Sequence, residues 1–216
     1  MVAVLGGYGL AWLSNRSRKP AEAFAVATEE WHALMGSAEL VLHSHPNGSP
    51  VPSLADQRQQ LATSVPWYVK PKGCDGFFFG DGSPEVPLLA RGYRWGVTDC
   101  YSVVRDAFWQ LRGIRLKNHP RDYESFRRGL PFFDSRFKKE GFEKISESIA
   151  DAKVGDCVLF KIRAETSNHC GYVVSPGVML HHPSARNTYS PSWLARRERL
   201  ERWGFLPLSV LRWRHD

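Results

Sequence analysis

Apolar positions recur at two different periods along this 216-residue chain, and the change from one period to the other marks its elements. Val103, Val104, Ala107, Phe108 and Leu111 repeat at helical spacing, which predicts a helix from Cys100 to Arg112. Asp99 supplies a capping acceptor just ahead of it, and Gly113 supplies the stop. Thr28–Met35 and Ser53–Thr63 read as shorter helices, and the apolar run Leu40-Val41-Leu42 predicts a strand over Glu39–Ser44. Further on, Asp156–Arg163, His169–Val174 and Val178–His182 read as strands, the last two closing into a hairpin over Ser175-Pro176-Gly177. Residues 1–13 are apolar and read as a buried strand entering the fold.

Proline and glycine crowd the stretch from Val65 to Pro87, which predicts turns and a domain junction near residue 84. Residues 1–84 then form a small domain of alternating α/β pattern, and residues 85–216 a larger one in which a helix precedes strands in series. The expected fold class is α+β, with the long helix packed on an antiparallel sheet. With 43% hydrophobic and 24% charged residues, the chain has the composition of an ordinary globular protein.

No apolar run reaches the ~20 residues of a membrane span, so none is expected. Arg16, Arg18 and Lys19 follow the apolar start instead of preceding it, the wrong order for a secretory signal. Four cysteines without CxxC spacing predict free thiols. The net charge of +7 gathers late in the chain, at Arg186, Arg196, Arg197, Arg199, Arg202, Arg212 and Arg214, and favours polyanions such as an anionic cell wall. Zinc-finger spacing and phosphate loops are missing, so nucleic acid is not an expected partner.

A thiol attacks acyl groups as its thiolate, which a helix N-terminus and a nearby imidazolium both favour. Cys100 has the first by position, and His169 and His181, brought together by the predicted hairpin, are candidates for the second. Cys157 and Cys170 read as buried packing; neighbouring strand residues diverge, so His169 and Cys170 are poorly placed to share a zinc ion with Cys157. The segment Tyr93-Arg94-Trp95-Gly96-Val97-Thr98-Asp99-Cys100, then Val154-Gly155-Asp156, Asn168-His169-Cys170-Gly171 and Leu180-His181-His182, resembles the NlpC-type family of cell-wall peptidases. The resemblance implies a papain-like domain in which Cys100 is the nucleophile, His169 the general base and acid, and His181 the orienting residue. It also assigns Tyr93, with the Cys100 backbone N–H, to the oxyanion. His182 is expected on the opposite strand face from His181 and is left out of the site.

Nearer the start, Leu42-His43-Ser44-His45-Pro46 places two histidines at alternate strand positions, with Ser53 and Asp56 following. Such imidazoles share a face and can hold one ion, with Asp56 as a third ligand. The pattern resembles the JAMM metalloprotease motif, which implies zinc on His43, His45 and Asp56 with Ser53 beside the bound water or oxyanion. That family's general base is a glutamate on an early strand, and residues 1–21 contain no acidic residue. The expectation is therefore an incomplete JAMM-like domain, begun inside its fold by a late start codon or truncation, that binds zinc without effective turnover.

The two motifs in this order resemble the tail assembly protein K family of lambda-like tailed bacteriophages. That resemblance implies a tail-tip hydrolase acting on the peptide stems of bacterial peptidoglycan, at amide bonds involving D-amino acids and a diamino acid. Other tail-tip proteins would be its partners, and its locations the host cytoplasm during assembly and then the virion tail. Two alternatives stand beside it: a structural assembly factor with vestigial peptidase sites, and a zinc-dependent processing protease of a tail protein.

Overall fold

Glycines at positions 6, 7 and 9 interrupt the apolar start, and the chain folds back there instead of running on as one strand. The computed structural model, which describes residues 1–183 and 187–214 and so leaves Arg186 outside, shows a hairpin of β1 (Val2–Gly6) and β2 (Gly9–Leu13). Only β1 is buried, so the expectation of a single buried strand is corrected to a buried strand and an exposed partner. After α1 (Thr28–Met35) come β3 (Ala38–His45), α2 (Leu54–Thr63), β4 (Trp67–Pro71) and β5 (Phe77–Phe79). They form a five-stranded sheet ordered β2-β1-β3-β4-β5, in which β3 and β4 are parallel with α2 between them in the chain. Val2, Val4, Val41, Trp67, Val69 and Phe79 are among its buried apolar side chains.

This first compact unit covers Met1–Glu85, and a second covers Val86–Asp216. The second opens with β6 (Gly92–Arg94) and α3 (Cys100–Arg112), followed by two short helices, α4 (Tyr123–Arg127) and α5 (Phe133–Lys139). The remaining strands are β7 (Phe142–Ser146), β8 (Cys157–Phe160), β9 (His169–Ser175), β10 (Val178–His181), β11 (Tyr189–Leu194), β12 (Arg196–Arg199) and β13 (Leu208–Trp213). Six of them make an antiparallel sheet ordered β12-β10-β9-β8-β13-β7, and β11 pairs with β6 apart from it. The unit is α+β, with α3 against β9 and β10.

Alternation along these strands divides the interior in two. On the α3 side, Val103, Val104, Ala107 and Phe108 meet Leu159, Cys170, Tyr172 and Leu180. On the other side, Val158, Phe160, Val173, Met179 and Val210 pack with Leu200 and Trp203. Each Val, Leu, Met or Phe among them contributes roughly 1.5–3 kcal/mol through burial, and together these side chains set the register that decides what the polar residues of β9 and β10 face. Strand β8 is shorter than the apolar pattern predicts, because past Phe160 the Asn168 side chain takes the Ile162 N–H in place of a sheet partner.

Candidate active site

Helix α3 begins where Asp99 takes up the free backbone donors of its first turn. Asp99 Oδ1 accepts from the Ser102 N–H and hydroxyl, each at 3.0 Å, and Oδ2 accepts from the Gly96 N–H at 2.7 Å. Arg121 closes the arrangement with a two-pronged bond, Nε to Oδ2 at 2.7 Å and Nη2 to Oδ1 at 2.9 Å. Burial, the largest influence, pushes the Asp99 carboxyl up; Arg121 and the backbone donors outweigh it and hold the carboxyl below its ordinary range. Asp99 is therefore a fixed anion that anchors the helix start, with no acceptor capacity left for a reacting group.

Cys100 is the first residue of that helix, buried, with its sulfur in the positive field of the helix end. Its thiol partner is Cys170 on β9. Burial pushes the thiols of Cys157 and Cys170 well up, so both are protonated packing groups, as residue type predicts. Tyr93, on β6, is buried; its hydroxyl is pushed up first by burial and then by the neighbouring Cys100. Its ring meets His182 edge-on at 5.1 Å. His182, which follows the end of β10, donates Nε2–H to the Arg91 carbonyl at 3.0 Å.

His169 opens β9 and His181 closes β10. Their rings stand together as the hairpin requires, with His169 Nε2 2.9 Å from His181 Nδ1. His181 Nε2 in turn lies 2.9 Å from Glu198 Oε2 on β12, and the Trp203 indole stacks on His169 at 5.2 Å and 18°. Burial holds His169 well below its usual value, and holds His181 down at about 4 against the opposing pull of Glu198. His169 Nδ1 is buried and has no hydrogen-bond partner among the described residues.

The structure thus joins His169 to His181, and joins Cys100 to Cys170, without a hydrogen bond between Cys100 and His169. The reason lies in the strand. Cys170 faces α3, and its neighbour His169 projects from the other side of β9, toward Phe160 and Trp203. Glu198 and Trp203, which complete the histidine pair, were not picked out from the sequence. Their positions are set by the pairing of β12 with β10, which leaves no local signal.

In the first unit, β3 carries His43 and His45, and the N-terminus of α2 carries Asp56. His43 Nε2 lies 2.9 Å from His45 Nε2, and the Asp56 carboxylate is 3.4 Å from the first and 3.3 Å from the second. Ser53 caps α2 by accepting from the Asp56 N–H at 3.1 Å, and Asp56 Oδ2 accepts from the Ser53 N–H at 2.7 Å, so one capping box aims the carboxylate. His45 Nδ1 donates to the Ser49 carbonyl at 2.8 Å, so Nε2 is the nitrogen left for the site: it donates to Asp56 when the ring is protonated and offers a lone pair when the ring is neutral. Burial, the largest influence, holds His43 down at about 4. The same influence on His45 is outweighed by Asp56 and Ser49, which hold that ring above its usual value.

One donor atom from each of the three residues lies within 4.8 Å of the others, beside a cavity of about 400 Å³ that Phe24, Trp31, Asn47 and Gln59 also line. Two imidazoles and a carboxylate, one ring oriented by a carbonyl behind it, fit a zinc-type ion.

The NlpC/P60 family model matches residues 90–198, and that segment has a cysteine hydrolase fold. Over 199 residues the chain is 30% identical to tail tip assembly protein K of Escherichia phage N15, covering 88% of this chain and 80% of that protein. Over 184 residues it is 30% identical to the protein of the same name from Escherichia phage lambda, covering 82% and 88%. The chain belongs to the tail tip assembly protein K family and carries an NlpC/P60 domain. Among solved structures, the NlpC/p60 domain of the peptidoglycan hydrolase SagA aligns with a TM-score of 0.37 at 17% identity, over 57% of this chain and 88% of that one. An NlpC/P60 family protein from Bacillus cereus aligns at 0.31 and 15%, over 66% and 45%. No helix among the described residues is long and apolar enough to cross a membrane.

Proposed function

We propose that this chain is a phage tail-tip peptidoglycan hydrolase that cleaves peptide stems with Cys100 as nucleophile. The observation that carries the reading is the His169–His181 bond at 2.9 Å, which occupies Nε2 of His169 and leaves Nδ1 as the one ring nitrogen open to a thiol. Cys100 must leave Cys170 and meet His169 Nδ1 in the substrate complex, a rearrangement larger than a side-chain rotation because Cys100 packs on the α3 face of β9 and His169 projects from the other; catalytic contacts that are long without substrate tighten in the complex. The Cys100 thiolate attacks the amide carbonyl, and a C–S bond forms as the carbonyl oxygen takes the charge. Tyr93 and the Cys100 N–H donate to that oxygen. His169 gives its proton to the leaving amine as the C–N bond breaks. Water then adds to the thioester, with His169 taking its proton, and the thiolate departs.

The bond class follows from the family resemblance: amides involving D-amino acids and a diamino acid, with bacterial peptidoglycan as substrate and other tail-tip proteins as partners in the virion tail. Purified peptidoglycan fragments incubated with the protein are expected to yield products one cut shorter by mass. A Cys100→Ala variant that gives the same products at the same rate refutes the mechanism.

A second reading, a structural assembly factor with vestigial sites, is favoured by the buried sulfur and its Cys170 partner. An active Cys100 labelled by a peptide-stem electrophile excludes it. For the first unit we propose a JAMM-like domain that holds zinc on His43, His45 and Asp56 with Ser53 supporting Asp56. A bound zinc ion supplies a polarised water or Lewis acid there. A third reading, a zinc-dependent processing protease, predicts activity lost to chelator and kept in Cys100→Ala, the opposite of the thiol mechanism. Metal analysis of the purified protein tests the site itself: zinc near one equivalent, lost in His43→Ala, is the expected result.

A further inference from the structure

Glu198 stands at the centre of contacts that the thiol mechanism above does not use. Its Oε2 lies 2.9 Å from His181 Nε2 and accepts from Trp203 Nε1 at 3.1 Å. Its Oε1 accepts from Arg196 Nη2 at 3.2 Å and lies 3.5 Å from Arg202 Nη1. Trp203, bonded to this carboxylate, packs flat on His169 and edge-on to His181 at 5.0 Å. One acidic side chain therefore meets, directly or through one neighbour, both rings of the histidine pair.

The protons in this chain of groups can be placed by elimination. An ionised carboxylate only accepts, so the proton between Glu198 and His181 belongs to His181 Nε2. A neutral imidazole carries one N–H, so His181 Nδ1 is an acceptor. The 2.9 Å contact with His169 Nε2 then requires the proton on that nitrogen, and His169 Nδ1 is left with a lone pair. Nδ1 is also the atom without a partner among the described residues.

We propose that Glu198 is a positioning residue: through His181 it fixes His169 as the Nε2–H tautomer, so that the Nδ1 lone pair serves as the base for Cys100. The proposal rests on the reading of His169 as that base. The directions of the neighbouring equilibria agree with it. Burial raises the Glu198 carboxyl, but Trp203, His181 and Arg196 outweigh it and hold the group below its usual value, while His181 stays neutral down to about pH 4. Once His169 takes the thiol proton, the same carboxylate stabilises the imidazolium through the intervening ring, as an orienting carboxylate does in other triads.

The test uses the full chain with 15N-labelled histidine. Imidazole 15N shifts are expected to show His169 protonated at Nε2 in the wild type. In Glu198→Ala that tautomer is lost or mixed, and Glu198→Asp restores it in part. In parallel, iodoacetamide labelling of Cys100, read by peptide mass at neutral pH, is expected to fall by roughly 10–10²-fold in Glu198→Ala. This is less than the ~10⁴-fold loss where the carboxylate contacts the base itself, because here His181 stands between. A wild-type His169 protonated at Nδ1 overturns the proposal, whatever the variants do. So does a folded Glu198→Ala with wild-type tautomer and labelling rate. Neither readout involves peptidoglycan. Tautomer and labelling results as expected, with hydrolysis undiminished in Cys100→Ala, therefore refute the hydrolase reading and leave the tautomer assignment standing.

Discussion

Asp99 and Arg121 are both buried, and each satisfies the other's charge while also holding backbone donors or carbonyls. Removing one partner strands the other in a medium that solvates charge poorly. Asp99→Ala is therefore expected to lower stability by about 3–5 kcal/mol, read as a shift in the urea midpoint, and to lower Cys100 alkylation by loosening the helix start. The buried ionisable groups also fix how stability changes with acid. His181 has its pKa lowered from 6.5 to about 4 on folding, so below pH 6.5 the unfolded chain takes a proton that the native ring refuses. Stability is thus expected to fall as pH drops from 6.5 to about 4, by up to ~1.4 kcal/mol per unit for this ring. Asp99, whose folded pKa is also lowered, contributes stability that is complete above its unfolded value of about 3.9 and is lost as pH falls through the folded one. Urea titrations at half-unit pH steps check both; a midpoint that stays flat from pH 6.5 to 4 contradicts the first.

Helix α2 shows how an element end can double as a ligand holder. The bonds between Ser53 and Asp56 that terminate the helix are the same bonds that point the Asp56 carboxylate at His43 and His45. Ser53→Ala is expected to cost about 1 kcal/mol of stability through the lost cap and, if zinc binds as proposed, to weaken it measurably by competition with a chromophoric chelator. Helix α3 depends on packing instead. Phe108 touches Tyr172 and Phe142 edge-on at 5.2 Å each, in the centre of the α3-side core. Its replacement by Ala is expected to cost about 3–5 kcal/mol, read by urea denaturation. At the other end, Gly113 terminates the helix with φ of 68°, a conformation that strains residues with a Cβ.

At the scale of the molecule, the +7 charge gives the chain an attraction for anionic polymers that does not depend on either site. Retention on purified cell-wall sacculi is expected to fall steeply between 50 and 500 mM salt, about ten-fold or more, and to be unchanged in Cys100→Ala. Salt-independent retention contradicts a charge-driven encounter. Arg196 and Arg202, which belong to that basic excess, are also held at Glu198, so part of the charge is spent inside the second unit.

Much of this was written in local pattern. The 3.6-residue spacing of Val103, Val104, Ala107 and Phe108, with Asp99 before and Gly113 after, determines helix α3 and its ends, because capping and amphipathic spacing act within a few residues. Ser175-Pro176-Gly177 likewise determines the hairpin that sets His169 against His181, and alternate strand positions with a capping box bring His43, His45 and Asp56 together. What faces what across the sheet was decided only by tertiary structure. That Cys170 stands against Cys100, that His169 turns toward Trp203, and that Glu198 backs His181 depend on strand register and on which face α3 covers. Those are settled by packing among residues far apart in the chain, and no short-range signal carries them.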